Sequence, residues 1–136
     1  MPVRRVLSLD GGGIKGVFSV SFLASIEEQL GKPVDGYFDL IAGTSTGGII
    51  ALGLGLGHSA KGLLSFYEGM AQRVFGGFRL LRSLRRIGVS KYRQEHLREA
   101  LESKFGDSKL GDSRRRLVIP SLNLETGEVY VFKTAH

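Results

Sequence analysis

The chain has 136 residues, of which 42% are hydrophobic and 24% are charged, proportions typical of a folded domain and unlike those of a disordered one. It contains no cysteine, which excludes disulfides, thiolate metal sites and a cysteine nucleophile. The net charge of +6 is compatible with anionic partners. The longest apolar run, residues 49–56, is far shorter than the roughly 20 residues that cross a bilayer. We expect one domain over residues 1–136, cytoplasmic or peripheral at a membrane.

Strand and helix patterns alternate in the first half of the chain. Residues 4–9 alternate and are largely aliphatic, which predicts a strand, and residues 10–16 follow as a glycine-rich loop. Apolar side chains then recur every three or four positions over residues 17–30, which predicts an amphipathic helix. A short apolar strand is predicted over residues 38–42, and a helix rich in glycine over residues 46–56.

Two further helices and two strands are predicted in the second half. The helices are expected over residues 59–75 and 93–105. Residues 117–124 and 128–134 have strand patterns, and the turn Glu125-Thr126-Gly127 between them indicates a hairpin. This order predicts an α/β fold, a three-layer sandwich around a mainly parallel sheet. Both strand-to-helix junctions of the first half then lie at one edge of the sheet, where open α/β sheets bind their ligands.

The first of these junctions has the sequence Asp10-Gly11-Gly12-Gly13-Ile14-Lys15-Gly16. Read from Gly11 it matches G-x-G-x-x-G, a pattern that is weak by itself in a chain with 20 glycines. Successive backbone N–H groups at the start of a helix can bind negative charge, either a phosphate or a transient oxyanion. A Rossmann-type nucleotide site would also need an acidic residue at the end of the second strand, where Gly43-Thr44-Ser45 stands instead.

The second junction, Gly43-Thr44-Ser45-Thr46-Gly47, matches the G-x-S-x-G pattern of a nucleophile elbow. The turn from strand to helix in such an elbow is so sharp that glycine is needed on both sides, here Gly43 and Gly47. It exposes the serine hydroxyl, and the next backbone N–H points toward a developing oxyanion. Because each motif follows a predicted strand and opens a predicted helix, the pair favours acyl transfer with Ser45 as the nucleophile.

Together the two motifs resemble the N-terminal part of a patatin-like phospholipase domain. The resemblance rests on Val6-Leu7-Ser8-Leu9-Asp10-Gly11-Gly12-Gly13-Ile14-Lys15-Gly16, followed by Phe38-Asp39-Leu40-Ile41-Ala42-Gly43-Thr44-Ser45-Thr46-Gly47-Gly48. The predicted hairpin over residues 118–133 is similar to the family's central strands. The resemblance implies the patatin-like sandwich, here without its C-terminal part. It also implies hydrolysis of ester bonds in phospholipids and other acyl lipids, with no cofactor and no metal.

The resemblance implies roles for individual residues as well. Ser45 would attack the acyl carbonyl as the nucleophile of a serine–aspartate dyad and form an acyl-enzyme. The N–H groups of Gly11, Gly12 and Gly13 would form the oxyanion hole. The residues expected to support that loop are Asp10, Lys15 and Gly16.

The aspartate of the dyad has no counterpart in this sequence. The family places it in a later Asp-Gly-Gly or Asp-Gly-Ala motif, whereas Asp107 and Asp112 are each followed by serine. Asp39 precedes the elbow and is expected to be structural. Because a serine without a base is a weak nucleophile, we expect little or no hydrolase activity from this chain alone. We expect it to be the N-terminal portion of a longer protein; a natural truncation or an aspartate from another chain are the alternatives.

Basic side chains interleave with apolar ones near residues 75–93, and three arginines stand at residues 114–116. Such a mixture predicts either a solvated face or a segment that lies on an anionic membrane. Nucleic acid is not expected as a partner, because no nucleic-acid-binding motif accompanies the charge. The alternatives to a hydrolase are therefore a non-catalytic module that binds membranes and one that binds nucleotides. The three histidines are interpreted as non-catalytic: His58, His96 and His136.

Overall fold

The computed structural model describes residues 3–74 and 89–135. The described residues fall into two compact units, one running to Leu64 and resuming at Ser108, the other over Ser65–Asp107. The strands and α-helices of the described chain are, in order, β1 (Val6–Leu9), α1 (Gly16–Leu30), β2 (Leu40–Gly43), α2 (Thr46–Gly55), α3 (Ala60–Val74), α4 (Val89–Phe105), β3 (Arg116–Leu122) and β4 (Val129–Lys133). Short 3₁₀ turns stand at Gly13–Lys15, Val34–Tyr37 and Leu110–Asp112.

The four strands form one sheet in the order β1-β2-β3-β4. β1, β2 and β3 are parallel, and β4 returns antiparallel to β3 as the second strand of the predicted hairpin. The register pairs Leu9 with Gly43, the last residues of β1 and β2, so these two strands end side by side. The predicted α/β fold with a mainly parallel sheet is confirmed.

The core of the first unit lies around β2 and α2. Ile41, at the centre of the sheet, is fully buried, as are Ile50 and Leu54 of α2. α2 packs on the sheet and also contacts α1, which contributes Val20 and Leu23 to the core. A helix enclosed by other elements has no solvated face to present, which explains why this segment is apolar on all sides.

A buried carboxylate that the sequence pattern did not predict joins three elements. Glu27, near the end of α1, accepts a hydrogen bond on Oε1 from the N–H of Val34 at 3.0 Å. Its Oε2 accepts hydrogen bonds from the N–H groups of Ala60 at 2.8 Å and Lys61 at 3.4 Å. The carboxylate therefore caps the first turn of α3, where unpaired N–H groups and the helix dipole favour negative charge.

The observed elements match the predicted ones with small shifts at their ends. The largest shift is in α4, which begins at Val89 and not at residue 93. Residues 75–88 of the basic and apolar segment, predicted to be either a solvated face or a segment that lies on a membrane, fall outside the described residues. No helix in the described ranges combines the length and the apolar character that a transmembrane span requires.

Candidate active site

β2 passes into α2 through a sharp bend centred on Ser45. This residue has φ 52° and ψ −121°, and it is the only non-glycine residue with positive φ in the described ranges. Such a conformation costs about 1–3 kcal/mol and is found mainly at functional sites. Ser45 is exposed and does not cap α2, and no hydrogen bond links its hydroxyl to another described residue. The bend therefore presents an exposed and unengaged hydroxyl group.

Steric crowding requires glycine on both sides of this bend. A methyl group added to Gly43 would collide with the backbone of Gly47. One added to Gly47 would collide with the carbonyl group of Leu9, at the end of β1. The first turn of α2 thus lies directly against the ends of β1 and β2, and this tight approach keeps Ser45 at the tip of the bend.

The glycine loop that follows β1 lies directly against this elbow. The N–H of Gly11 donates a hydrogen bond to Thr44 Oγ1 at 3.0 Å, and a methyl group on Gly11 would lie 2.9 Å from Ser45 Cβ. Thr46 Oγ1 in turn donates to the carbonyl of Gly13 at 3.1 Å. The two sequence motifs therefore form a single surface, held together by the two threonines that flank the serine.

The glycines of the loop differ in whether their backbone N–H groups are already hydrogen-bonded. The N–H of Gly11 is engaged by Thr44, whereas the N–H groups of Gly12 and Gly13 donate to no other described residue. Gly12 and Gly13 are also exposed. Two backbone N–H groups of the loop are thus not engaged by other described residues.

The three residues predicted to support the loop are placed differently from one another. Gly16 is buried, and a methyl group on it would lie 2.6 Å from Thr46 Cγ2, so glycine lets α1 approach the elbow. Asp10 and Lys15 both have exposed positions. A methyl group on Gly12 would lie 3.4 Å from Lys15 Cβ, which places the lysine stem beside the open part of the loop.

Asp39 lies at the opposite end of β2 from Ser45 and holds the strand ends together. Its Oδ2 accepts a hydrogen bond from the N–H of Arg5 at 2.8 Å, and Arg4 Nη1 lies 3.3 Å from Oδ1. The hydrogen bond from the Arg5 backbone, helped by the Arg4 guanidinium, lowers the pKa of Asp39 from its ordinary value. Its contacts are those of the structural residue predicted from the sequence.

The two described histidines are His58 and His96. His96, in the Ser65–Asp107 unit, has its Nδ1 3.6 Å from Glu99 Oε2. His58 lies in the short connection between α2 and α3. Within the described ranges, no three or more histidine and acidic side chains are grouped closely enough to hold a metal ion.

Thr44 and Thr46 are the site residues that the sequence pattern did not single out. The G-x-S-x-G pattern leaves both of these positions unspecified. The only signal in the sequence is that a hydroxyl-bearing residue stands on each side of Ser45. Their hydrogen bonds to the glycine loop follow from the adjacency of the two strand ends, which is a property of the fold.

Comparison with known proteins finds that this sequence is similar to proteins described as phospholipases or as patatin-like. A family model described as patatin-like phospholipase matches residues 7–135. A "cGAMP-activated phospholipase" of Pseudomonas aeruginosa is 38% identical over 100% of this chain and 41% of its own length. A protein of the same description from Escherichia coli is 41% identical over 99% of this chain and 40% of its own length. "Patatin-like protein 1" of Arabidopsis thaliana is 33% identical over 95% of this chain and 36% of its own length.

Proposed function

This chain belongs to the patatin-like phospholipase family, and from that premise we propose that it carries the nucleophile of a lipid acyl hydrolase of the phospholipase A type. The chain spans about two fifths of the length of the relatives from Pseudomonas and Escherichia, so the proposal concerns the complete protein that contains this sequence. The observation that carries it is the strained and exposed Ser45, in contact with a loop that offers unengaged backbone N–H groups.

The proposed reaction begins with attack by Ser45 Oγ on the carbonyl carbon of a lipid ester. The serine proton passes to a carboxylate base, and the carbonyl oxygen takes up negative charge in the tetrahedral intermediate. The N–H groups of Gly12 and Gly13 stabilise that oxyanion, each donor of this type contributing about 10²–10³ in rate. The alcohol then leaves with the proton, and water hydrolyses the acyl-enzyme to release the fatty acid and free Ser45.

The proposed oxyanion hole has fewer N–H donors than the sequence motif suggests. All three glycines of the loop were expected to donate, but the N–H of Gly11 already donates to Thr44 Oγ1. We therefore assign Gly11 to the contact between loop and elbow, and Gly12 and Gly13 to the oxyanion. Gly16 allows α1 to pack closely against the elbow. We assign Asp10 and Lys15 to support of the loop.

The base of the proposed dyad is an aspartate outside these 136 residues. No Asp-Gly-Gly or Asp-Gly-Ala motif follows the elbow in this sequence. Asp39, which precedes the elbow, bonds to Arg5 at the far end of the strand. A serine and a carboxylate are sufficient for the proposed chemistry, which needs neither a metal nor a cofactor.

The proposed substrate is a phospholipid or another acyl lipid, which the protein meets as a peripheral protein on the cytoplasmic side of a membrane. Nucleotide regulation is a second element of the proposal, because the relatives that cover 99–100% of this chain are named as cGAMP-activated phospholipases. If cGAMP also activates the complete protein, hydrolysis should rise when cGAMP is added. A complete protein that binds cGAMP but never hydrolyses lipid would favour the nucleotide-binding module.

The test of the proposed function is release of fatty acid from phospholipid vesicles by the complete protein, with and without cGAMP. Ser45→Ala removes the hydroxyl and keeps the backbone, so it should lower hydrolysis at least about 10³-fold with an unchanged melting temperature. Ser25→Ala, at an exposed position of α1, is the matched control and should retain full activity. Hydrolysis that survives Ser45→Ala, or a wild-type protein without ester hydrolysis, would refute the proposal.

A further inference from the structure

A cleft at the start of β1 brings two cations and an aromatic ring together. It has a volume of about 310 Å³, within the range of small-ligand sites, and is lined by Arg5, Lys32, Pro33, Gly36 and Tyr37. The Arg5 guanidinium carbon lies 5.5 Å from the centroid of the Tyr37 ring, and Lys32 Nζ lies 5.2 Å from it. Neither cation forms a hydrogen bond or an ion pair through its side chain with another described residue. We call these five residues the tyrosine cleft.

Each of the two aspartates beside the tyrosine cleft is paired with another arginine. Arg4 Nη1 lies 3.3 Å from Asp39 Oδ1, and Arg115 Nε lies 3.2 Å from Asp35 Oδ2. The Arg5 guanidinium attracts Asp39 only weakly, because it contributes less to the lowered pKa of that carboxylate than the Arg5 backbone N–H or Arg4 does. The two ion pairs offset each other in charge, so the two cations that line the cleft have no paired carboxylate.

The end of α1 adds negative charge near the cleft but does not neutralise it. The helix ends at Leu30, and its carbonyl end carries about half a unit of negative charge. Glu28, in the last turn, is exposed and forms no ion pair with Lys32. The carboxylate of Glu27 is already bonded to three backbone N–H groups. Two full positive charges therefore face the cleft against smaller or solvated negative ones.

A phosphate group would satisfy these two cations better than the tyrosine ring does. A cation that contacts an exposed ring gains less than one that donates a charge-assisted hydrogen bond to a phosphate oxygen. Arginine and lysine side chains are donors only, and phosphate oxygens accept from several directions. The hydroxyl group of Tyr37 forms no hydrogen bond with another described residue, so it is a further donor at the same place. The chemistry of the cleft therefore fits a phosphate-bearing anion.

The tyrosine cleft lies at the opposite end of the sheet from the elbow. Arg5 precedes β1, and its carbonyl accepts a hydrogen bond from the N–H of Asp39, which precedes β2. Leu9 and Gly43 are the paired last residues of these two strands, and the elbow follows them. The four residues from Arg5 to Leu9 span about 13 Å of strand. A membrane that faces Ser45 would meet the other end of the sheet, which favours a soluble phosphate over a lipid headgroup.

We propose that the tyrosine cleft binds the phosphate group of a soluble small molecule, such as a nucleotide, at a site separate from the proposed catalytic one. Arg5 and Lys32 donate to the phosphate oxygens, and Tyr37 lies between or beside them as the aromatic wall. This site goes beyond the proposed function, since binding there requires neither the Ser45 hydroxyl nor a lipid.

Calorimetric titration of the complete protein with cGAMP and with pyrophosphate tests the site. Arg5→Gln and Lys32→Gln should each weaken binding about tenfold, the effect of losing one charge-assisted hydrogen bond to phosphate. Lys133→Gln removes the same charge at an exposed position of β4, three strands away from β1, and should leave binding unchanged. The melting temperature verifies that each variant is folded.

Binding of either anion that weakens in both cleft variants supports the proposal. Wild-type affinity for both anions in the two cleft variants overturns it, and so does an equal loss in Lys133→Gln, since net charge alone would then explain the binding. Vesicles of phosphatidylglycerol, titrated into Ser45→Ala to prevent hydrolysis, distinguish the source of the phosphate. If the cleft variants weaken binding to vesicles while neither soluble anion binds, the cleft recognises a lipid surface and the proposal is overturned.

Protection of Lys32 from acetylation locates the bound anion without any substitution. Pyrophosphate at ten times its Kd should slow acetylation of the Lys32 amine about tenfold, because only the unbound fraction reacts. The Lys133 amine, followed by mass spectrometry in the same sample, should react at an unchanged rate. Unchanged acetylation of Lys32 while the anion is bound would overturn the proposal. Neither readout requires hydrolysis, so failure of this site is distinguishable from failure of the proposed reaction.

Discussion

Ser45 occupies a backbone conformation, φ 52° and ψ −121°, that glycine adopts with much less strain. The strain is maintained because the elbow is enclosed by the end of β1 on one side and by the glycine loop on the other. The G-x-S-x-G pattern was sufficient to predict which residue occupies this bend. It could not predict that Thr44 engages the N–H of Gly11, since hydrogen bonding across two strand ends depends on their register.

The strain at Ser45 leads to a prediction about stability. Ser45→Gly should raise the free energy of unfolding by about 1 kcal/mol, because relief of the strained φ exceeds the entropy cost of an added glycine. Ser25→Gly, at an exposed position within α1, should instead lower it by about 0.5 kcal/mol. Urea unfolding of both variants is the measurement. If Ser45→Gly is as destabilising as Ser25→Gly, the bend stores no strain.

The existence and order of the strands and helices were easier to predict from the sequence than their ends and caps. Periodicity predicted each strand and helix of the described chain, because apolar spacing directly reflects which face of an element is buried. Glu27, near the end of α1, is buried and accepts three backbone hydrogen bonds, a role that periodicity does not indicate. Its partner Val34 lies seven residues away and those at the start of α3 lie 33 and 34 residues away, so helical periodicity could not reveal them.

The cap supplied by Glu27 is tested by an isosteric substitution. Glu27→Gln places an amide NH₂ group against backbone N–H donors, so it should lower the free energy of unfolding by about 1–3 kcal/mol. Its neighbour Glu28 is exposed, and Glu28→Gln should change stability little. Chemical denaturation of the two variants under the same conditions compares them directly. Equal stability of the two variants would show that the carboxylate does not act as a cap.

The lowered pKa of Asp39 leads to a prediction about pH. Because the folded-state pKa lies below the unfolded one, the contribution of this carboxylate to stability is present above about pH 4 and is lost as the pH falls through the folded-state pKa. The melting temperature of Asp39→Asn should therefore lie below that of wild type at neutral pH, and the difference should shrink at lower pH. A difference that grows on acidification would contradict the assigned hydrogen bond from Arg5.

For the whole molecule, two short motifs were enough to place the chain in its family and in the α/β class. The resemblance to patatin-like phospholipases is confirmed by the match over residues 7–135. The motifs succeeded because sharp strand-to-helix bends restrict the residue type at several positions at once. The apolar periodicity predicted α1 but did not indicate that Phe18 and Phe22 would be exposed, which the packing of α1 shows.

We propose that the Ser45 hydroxyl is an activated nucleophile, and site mapping with a fluorophosphonate probe tests this role most directly. The complete protein should be labelled once, on the peptide that contains Ser45, with labelling abolished by Ser45→Ala and retained by Ser25→Ala. The 136-residue chain, without the proposed aspartate, should react far more slowly. Labelling of a different serine in the complete protein, or none at all while the protein is folded and hydrolyses lipid, would contradict the account.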